Sequence, residues 1–70
     1  MYQIVIVLTS GERIYGSEFV SDKGQGVDQL NEICETLREE SAHIALMTHD
    51  GPVGVFSRAI SHVYLAHDGE

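Results

Sequence analysis

Near the start of the chain, the run Ile4-Val5-Ile6-Val7-Leu8 is apolar without interruption and almost entirely β-branched. Such side chains are stiff at χ1 and pack well on a pleated surface, so the run predicts a strand. Successive strand residues point to opposite faces, which sends Ile4, Ile6 and Leu8 one way and Val5 and Val7 the other. A half-solvated strand would alternate with polar residues, so this one must be covered on both sides. The rest of the chain has to supply those covers.

With 70 residues the chain is read as one domain, residues 1–70. A domain of this size buries only about 60% of the surface its unfolded form exposes. Its core is therefore thin, and self-association is an expected source of extra stability. The 43% hydrophobic content nevertheless places it with globular chains, because disordered chains combine low hydrophobicity with high net charge.

The expected order is strand, strand, helix, strand, strand, strand. Strands are predicted at about 2–9, 13–20, 43–49, 53–58 and 60–66, and the helix at about 27–41. The stretches YQIVIVLTS and ERIYGSEFV flank a Ser-Gly-Glu turn and form the first hairpin. The segment SDKGQG reads as a loop, its glycines permitting a bend. Val27, Leu30, Ile33, Cys34 and Leu37 then fall at helical spacing as one apolar stripe. Cys34, the only cysteine, is thereby expected to be a buried, inert thiol in a reducing, cytoplasmic setting. The opposite helix face carries Asp28, Glu32, Glu35, Glu39 and Glu40, relieved only by Arg38. Glu39 and Glu40, expected at the C-terminal end, oppose the helix dipole. A basic partner surface would find use for them.

The formal net charge is −7, and Arg13, Lys23, Arg38 and Arg58 are scattered along the chain. Neutralising phosphates requires a local surplus of cations, so duplex DNA and anionic membranes are not expected partners. The longest apolar run is far short of the roughly 20 residues of a spanning helix, and it lacks the basic start and cleavage site of a signal peptide.

The triplet His-Asp-Gly occurs at His49-Asp50-Gly51 and again at His67-Asp68-Gly69. Asp-Gly is a strong turn dipeptide, and Pro52 after the first copy opens a strand where its missing N–H is tolerated. Both triplets are read as punctuation. His43, His49, His62 and His67 show no HExxH or Cys/His spacing of the kind metal sites use. No G-x-S-x-G nucleophile elbow is present. The chain is accordingly expected to be no enzyme and to hold neither metal nor cofactor.

Leu8, Gly11 and Gly16 set out a pattern L-x-x-G-x-x-x-x-G, and Phe56-Ser57-Arg58-Ala59-Ile60-Ser61-His62-Val63 crosses between two strands with almost no turn. Together these resemble the Sm and Sm-like family, including its bacterial Hfq branch. The stretch FSRAIS is similar to that branch's tyrosine-lysine-histidine-alanine-isoleucine-serine segment, with Ser57 at the lysine's place and Ala59, Ile60 and Ser61 matching. The resemblance spans Tyr2 to about Val20 and His43 to Leu65. A helix stands between the second and third strands, where the family carries a base-contacting Asp-x-x-x-Asn motif.

What the resemblance implies is a mostly β fold with one helix: a small, strongly bent, five-stranded antiparallel barrel of SH3-like shape. A two-layer α/β sandwich built from the same elements is the alternative. Sm-like proteins form rings by pairing the fourth strand of one subunit with the fifth of the next. The expected subunit interface is therefore Val53, Val55, Ser61, Val63 and Leu65. Two functions follow as expectations. The first is a non-enzymatic homo-oligomeric module that binds a basic protein partner through Glu32, Glu35, Glu39 and Glu40. The alternative is a single-stranded RNA binder using Phe56, Ser57, Arg58 and Tyr64, with the aromatics as stacking surfaces.

Overall fold

The computed structural model describes residues 1–38 and 43–67. The fold is mostly β with one helix, and its five strands are paired antiparallel. Their order is β1 (Tyr2–Leu8), β2 (Arg13–Tyr15), α1 (Lys23–Leu37), β3 (His43–Thr48), β4 (Gly51–Phe56) and β5 (Ile60–His67). β2, β1 and β5 form one sheet with β1 in the middle, while β3 and β4 form a second, two-stranded sheet. The closed barrel expected from the sequence is not formed, and neither is a single flat sheet.

The reason lies at Gly16. β2 lasts only three residues, where a strand over residues 13–20 was expected. The Gly16 N–H still donates to the Ile4 carbonyl at 2.9 Å, but the next N–H, of Ser17, turns away and donates to the Met47 carbonyl at 2.8 Å. A side chain at position 16 would bring a Cβ within 3.2 Å of the Ile4 carbonyl oxygen and 3.4 Å of Leu46. The chain returns only at Val20, which exchanges two backbone hydrogen bonds with Tyr2. The sheets therefore touch at the Ser17–Met47 link without merging.

β1 is buried on both faces, from Ile4 through Val7. Ile4 and Ile6 join Ile44 of β3 to make the core, against which Leu30, Ile33 and Leu37 of α1 and Val63 and Leu65 of β5 pack. Val5 and Val7 point to the opposite face. Directly opposed residues in an antiparallel pair share a face, so Tyr15 and Tyr64 flank Val5, and Arg13 and His62 flank Val7. The register thus sets longer side chains beside both valines on this face, where Val5 is 0% exposed.

The helix begins four residues before its expected start, and Asp22 explains why. Its carboxylate accepts the Gly24 N–H at 3.1 Å, capping the first turn. The glycines read as a loop thus belong to the helix. Gly26 is buried, and a Cβ there would lie 2.9 Å from Leu65, so its bare backbone lets α1 approach β5 closely. The inward stripe keeps the anticipated Leu30, Ile33 and Leu37, which are half-buried against the core, and adds the buried Gly26, whereas Val27 and Cys34, expected in it, are exposed. At the other end Arg38 caps α1, and Glu39 and Glu40 lie outside the described residues.

In the second sheet, His49 and Asp50 form a two-residue loop between Thr48 and Gly51. Gly51 has φ +111°, a conformation side-chain-bearing residues rarely adopt. The Thr48 hydroxyl donates to the Gly51 carbonyl and accepts the Asp50 N–H, which locks the turn. β4 ends at Phe56, and Ser57–Ala59 form one 3-10 turn leading into β5, where the strand had been expected to run to residue 58. Asp68 and Gly69 of the second triplet lie outside the described residues.

Candidate interaction site

Every strand is free of Asp and Glu. The acidic side chains of this strongly anionic chain sit in loops, in the helix or outside the described residues. The two kinds of surface are therefore spatially sorted: uncharged sheet faces and edges on one hand, an acidic helix on the other.

Among the described residues β4 is paired only with β3, and β5 only with β1, so each leaves one edge without a partner strand there. These are the edges whose side chains were expected at a subunit interface. Val63 and Leu65 turn inward, opposite Ile6 and Ile4, and Val55 is buried opposite Ile44. Val53, opposite Leu46, is half-buried. Ser61 does not share their face. The register passes from Val7–His62 to Leu8–Ile60, which leaves Ser61 as the extra residue of a β-bulge. Ile60 takes the core position that simple alternation would assign to it. What these edges can offer a neighbour is backbone N–H and C=O groups more than side chains.

Beside the edges lies an apolar exposed surface. Met47, Pro52, Ala45, Gly54 and Phe56 share the outward face of the β3–β4 sheet, since they are directly opposed in register with one another or with His43. Phe56 is 59% and Met47 51% exposed. The Phe56 and His43 rings lie 6.1 Å apart at 58°.

The residues expected to contact RNA are divided between two sheets. Phe56 lies on the outward face of β3–β4, Arg58 is exposed in the 3-10 turn beside half-buried Ser57, and Tyr64 lies on the far face of the three-stranded sheet. Tyr64 is not alone there. His62 stacks near it, 6.1 Å between ring centres, and Arg13 and Tyr15 occupy the same face across β1. Sequence reasoning missed Arg13, Tyr15 and His62 because only the register of β2 against β1 brings them beside Tyr64.

No family model, curated protein or solved structure matches this chain. Its reading therefore rests on its own geometry.

On α1, Glu32 and Glu35 are exposed, and the Arg38 guanidinium lies 3.6 Å from the Glu35 carboxylate. That pair is solvated, and such pairs contribute only about 0–1 kcal/mol. Among the described residues no three His, Cys, Asp or Glu side chains converge as metal ligands. His67 stacks on Tyr2 with 4.6 Å between centroids, and the Ser61 hydroxyl and His62 Nδ1 are 3.2 Å apart. Among the described residues no helix is long and apolar enough to cross a membrane.

Proposed function

We propose that this protein is a non-enzymatic assembly module, a strongly bent Sm-like domain that joins copies of itself through strand edges and presents its acidic helix to a basic protein partner. The observation that carries this reading is the pair of open edges on β4 and β5, consecutive strands joined by a single turn and free of acidic residues. Unpaired edges are prone to pair with another chain unless charged residues or bulges block them. Here Ser61 interrupts β5, and β4 carries no charged side chain, its one interruption being Pro52, which has no N–H to offer at that edge. Pairing β4 of one copy with β5 of the next would satisfy both edges, and it would cover apolar surface next to Phe56.

The test is the absolute mass in solution, measured by light scattering over a dilution series. A fixed multiple of the 7.7 kDa chain supports assembly, and a concentration-independent monomer removes it.

A second reading, single-stranded RNA binding, is favoured by one feature: Arg13, Tyr15, His62 and Tyr64 on a face with no carboxylate among its strand residues. Stacking on aromatics contributes about 1–3 kcal/mol per base. Titration of short RNAs at low salt decides it. Binding that Tyr64→Ala abolishes would establish this reading, and no binding would retire it.

A further inference from the structure

The seam between the two sheets holds a site of its own. Where β2 stops and the chain crosses to Met47, a cavity of about 320 Å³ opens between α1, β3 and the segment after β2. Ile33 and Leu46 give it an apolar floor, and Glu18, Gln29 and Glu32 provide its polar groups. No Lys or Arg lines it. A second hollow, sharing Glu32, Ile33 and Ala45 with the first, continues it along β3 past Thr36.

One wall of this trough is an edge of β3 that, among the described residues, pairs with no strand beyond the single Ser17–Met47 link. In a hairpin closed by a two-residue loop, the residues flanking the loop bond to each other, and the pairs then alternate between bonded and non-bonded. Thr48–Gly51, Leu46–Val53 and Ile44–Val55 are then the bonded pairs, and Met47 and Ala45 direct their N–H and C=O away from β4. Two facts check this phase. The Met47 carbonyl does point away, because it accepts the Ser17 N–H, and its partner Pro52 occupies a position where no N–H is needed. Ala45 is exposed, two residues further along the same edge.

We propose that this trough binds an extended, basic peptide segment of a partner protein, which adds as a strand to the free edge of β3 alongside α1. The segment's backbone would pair with Ala45, continuing the ladder that Ser17 begins. Apolar side chains of the segment would meet the floor at Ile33 and Leu46, and its Lys or Arg side chains would meet Glu18 and Glu32, both exposed among the lining residues. Peptide addition to a sheet edge takes affinity from main-chain bonds and specificity from pockets for alternate side chains. Charge selects the occupant here: two carboxylates with no cation among the lining residues disfavour an acidic segment or a nucleic acid strand. The inference rests on the protein-binding reading and moves its site from the outward helix face into the seam.

The experiment is fluorescence anisotropy with a labelled, end-capped octapeptide of alternating Lys and Val, titrated with the full chain. Saturable binding is expected, and Glu32→Lys should raise Kd by about tenfold or more. Glu35→Lys, on the outward face beside Arg38, should leave Kd unchanged within about twofold. A peptide of the same sequence with alternate backbone nitrogens methylated should not bind, which tests strand addition without altering the protein. Circular dichroism on each variant confirms that the fold is retained. Equal weakening by Glu32→Lys and Glu35→Lys would overturn the trough while leaving the acidic-face reading standing. Equal binding of the methylated peptide would overturn strand addition. No binding by the octapeptide, together with an intact multimer in light scattering, would overturn the trough without touching self-assembly. Self-association that Glu32→Lys abolishes would place a second copy in the seam and overturn the proposal as well.

Discussion

β1 and the β3–β4 hairpin are made of the same kinds of residue, yet they are used in opposite ways. In β1 the four residues from Ile4 to Val7 are all buried, two on each face. In the hairpin the burial alternates: Ile44 and Val55 go inward, while Ala45, Met47, Gly54 and Phe56 face out although none of them is polar. The first strand is apolar because both faces are covered. The hairpin is apolar on a face that nothing within the chain covers among the described residues. Apolar composition thus marks the scaffold in one region and an available surface in the other.

The sharpest way to break this comparison is to truncate one residue from each region. Ile6 is fully buried and touches the core around Ile4 and Ile44. Removing its side chain in Ile6→Ala should destabilise the fold by about 3–4 kcal/mol, combining lost transfer energy with a residual cavity. For a domain near the low end of the usual stability range, that is most of what it has. Urea denaturation followed by circular dichroism measures it. Met47→Ala, on the outward face, should change stability by less than about 0.5 kcal/mol. If the two losses are similar, the hairpin is as much a part of the core as β1 is, and the contrast fails.

Two intermediate effects concern the devices that place the helix and hairpin. Gly51→Ala puts a side chain at φ +111° and should destabilise by about 1–2 kcal/mol. Asp22→Ala removes the carboxylate that accepts the Gly24 N–H and should lower stability by about 1 kcal/mol. Thermal melts of both variants check these values. A loss for Asp22→Ala well under that figure would mean that packing of Leu30, Ile33 and Leu37 alone sets the start of the helix.

The parts of this fold that could be read in advance are those decided locally. Ile4 to Leu8 announced a strand covered twice, and Asp50-Gly51 announced a tight turn, because β-branching and left-handed backbone act at the residue itself. The errors share a different cause. Gly26 has no side chain to register in a hydrophobic stripe, so the stripe was drawn through Val27 and Cys34, rotated from the true one. A signal was available in Asp22, a capping residue at the right distance. Ser61 is a bulge only in relation to Leu8 and Val7 across the ladder, and no property of the strand itself reveals it. The seam was equally hidden, since it exists because β2 ends at Tyr15, and that end depends on Ser17 finding Met47. The absence of acidic residues from the strands was hidden for the same reason, since the strand expected over residues 13–20 contains Glu18, which falls outside β2 only because β2 ends at Tyr15.

The smallest expected change in stability tests the most about the surface. Phe56 is more than half exposed and packs laterally against His43 across the hairpin. Phe56→Ser should therefore shift the unfolding midpoint by no more than about 0.5 kcal/mol in free energy. Its effect belongs elsewhere: Phe56 closes β4 at the open edge, where a neighbouring copy would cover it. Buried aromatics dominate interface energetics, and truncating one at the centre of an interface often weakens association by about 2 kcal/mol or more. Light scattering on Phe56→Ser should show the multimer dissociating at concentrations where the parent chain stays assembled. An unchanged mass with unchanged stability would place the interface away from Phe56, leaving the edges joined by backbone pairing alone. A large loss of stability in a monomeric protein would instead make Phe56 part of the fold, erasing the distinction between the hairpin's two faces.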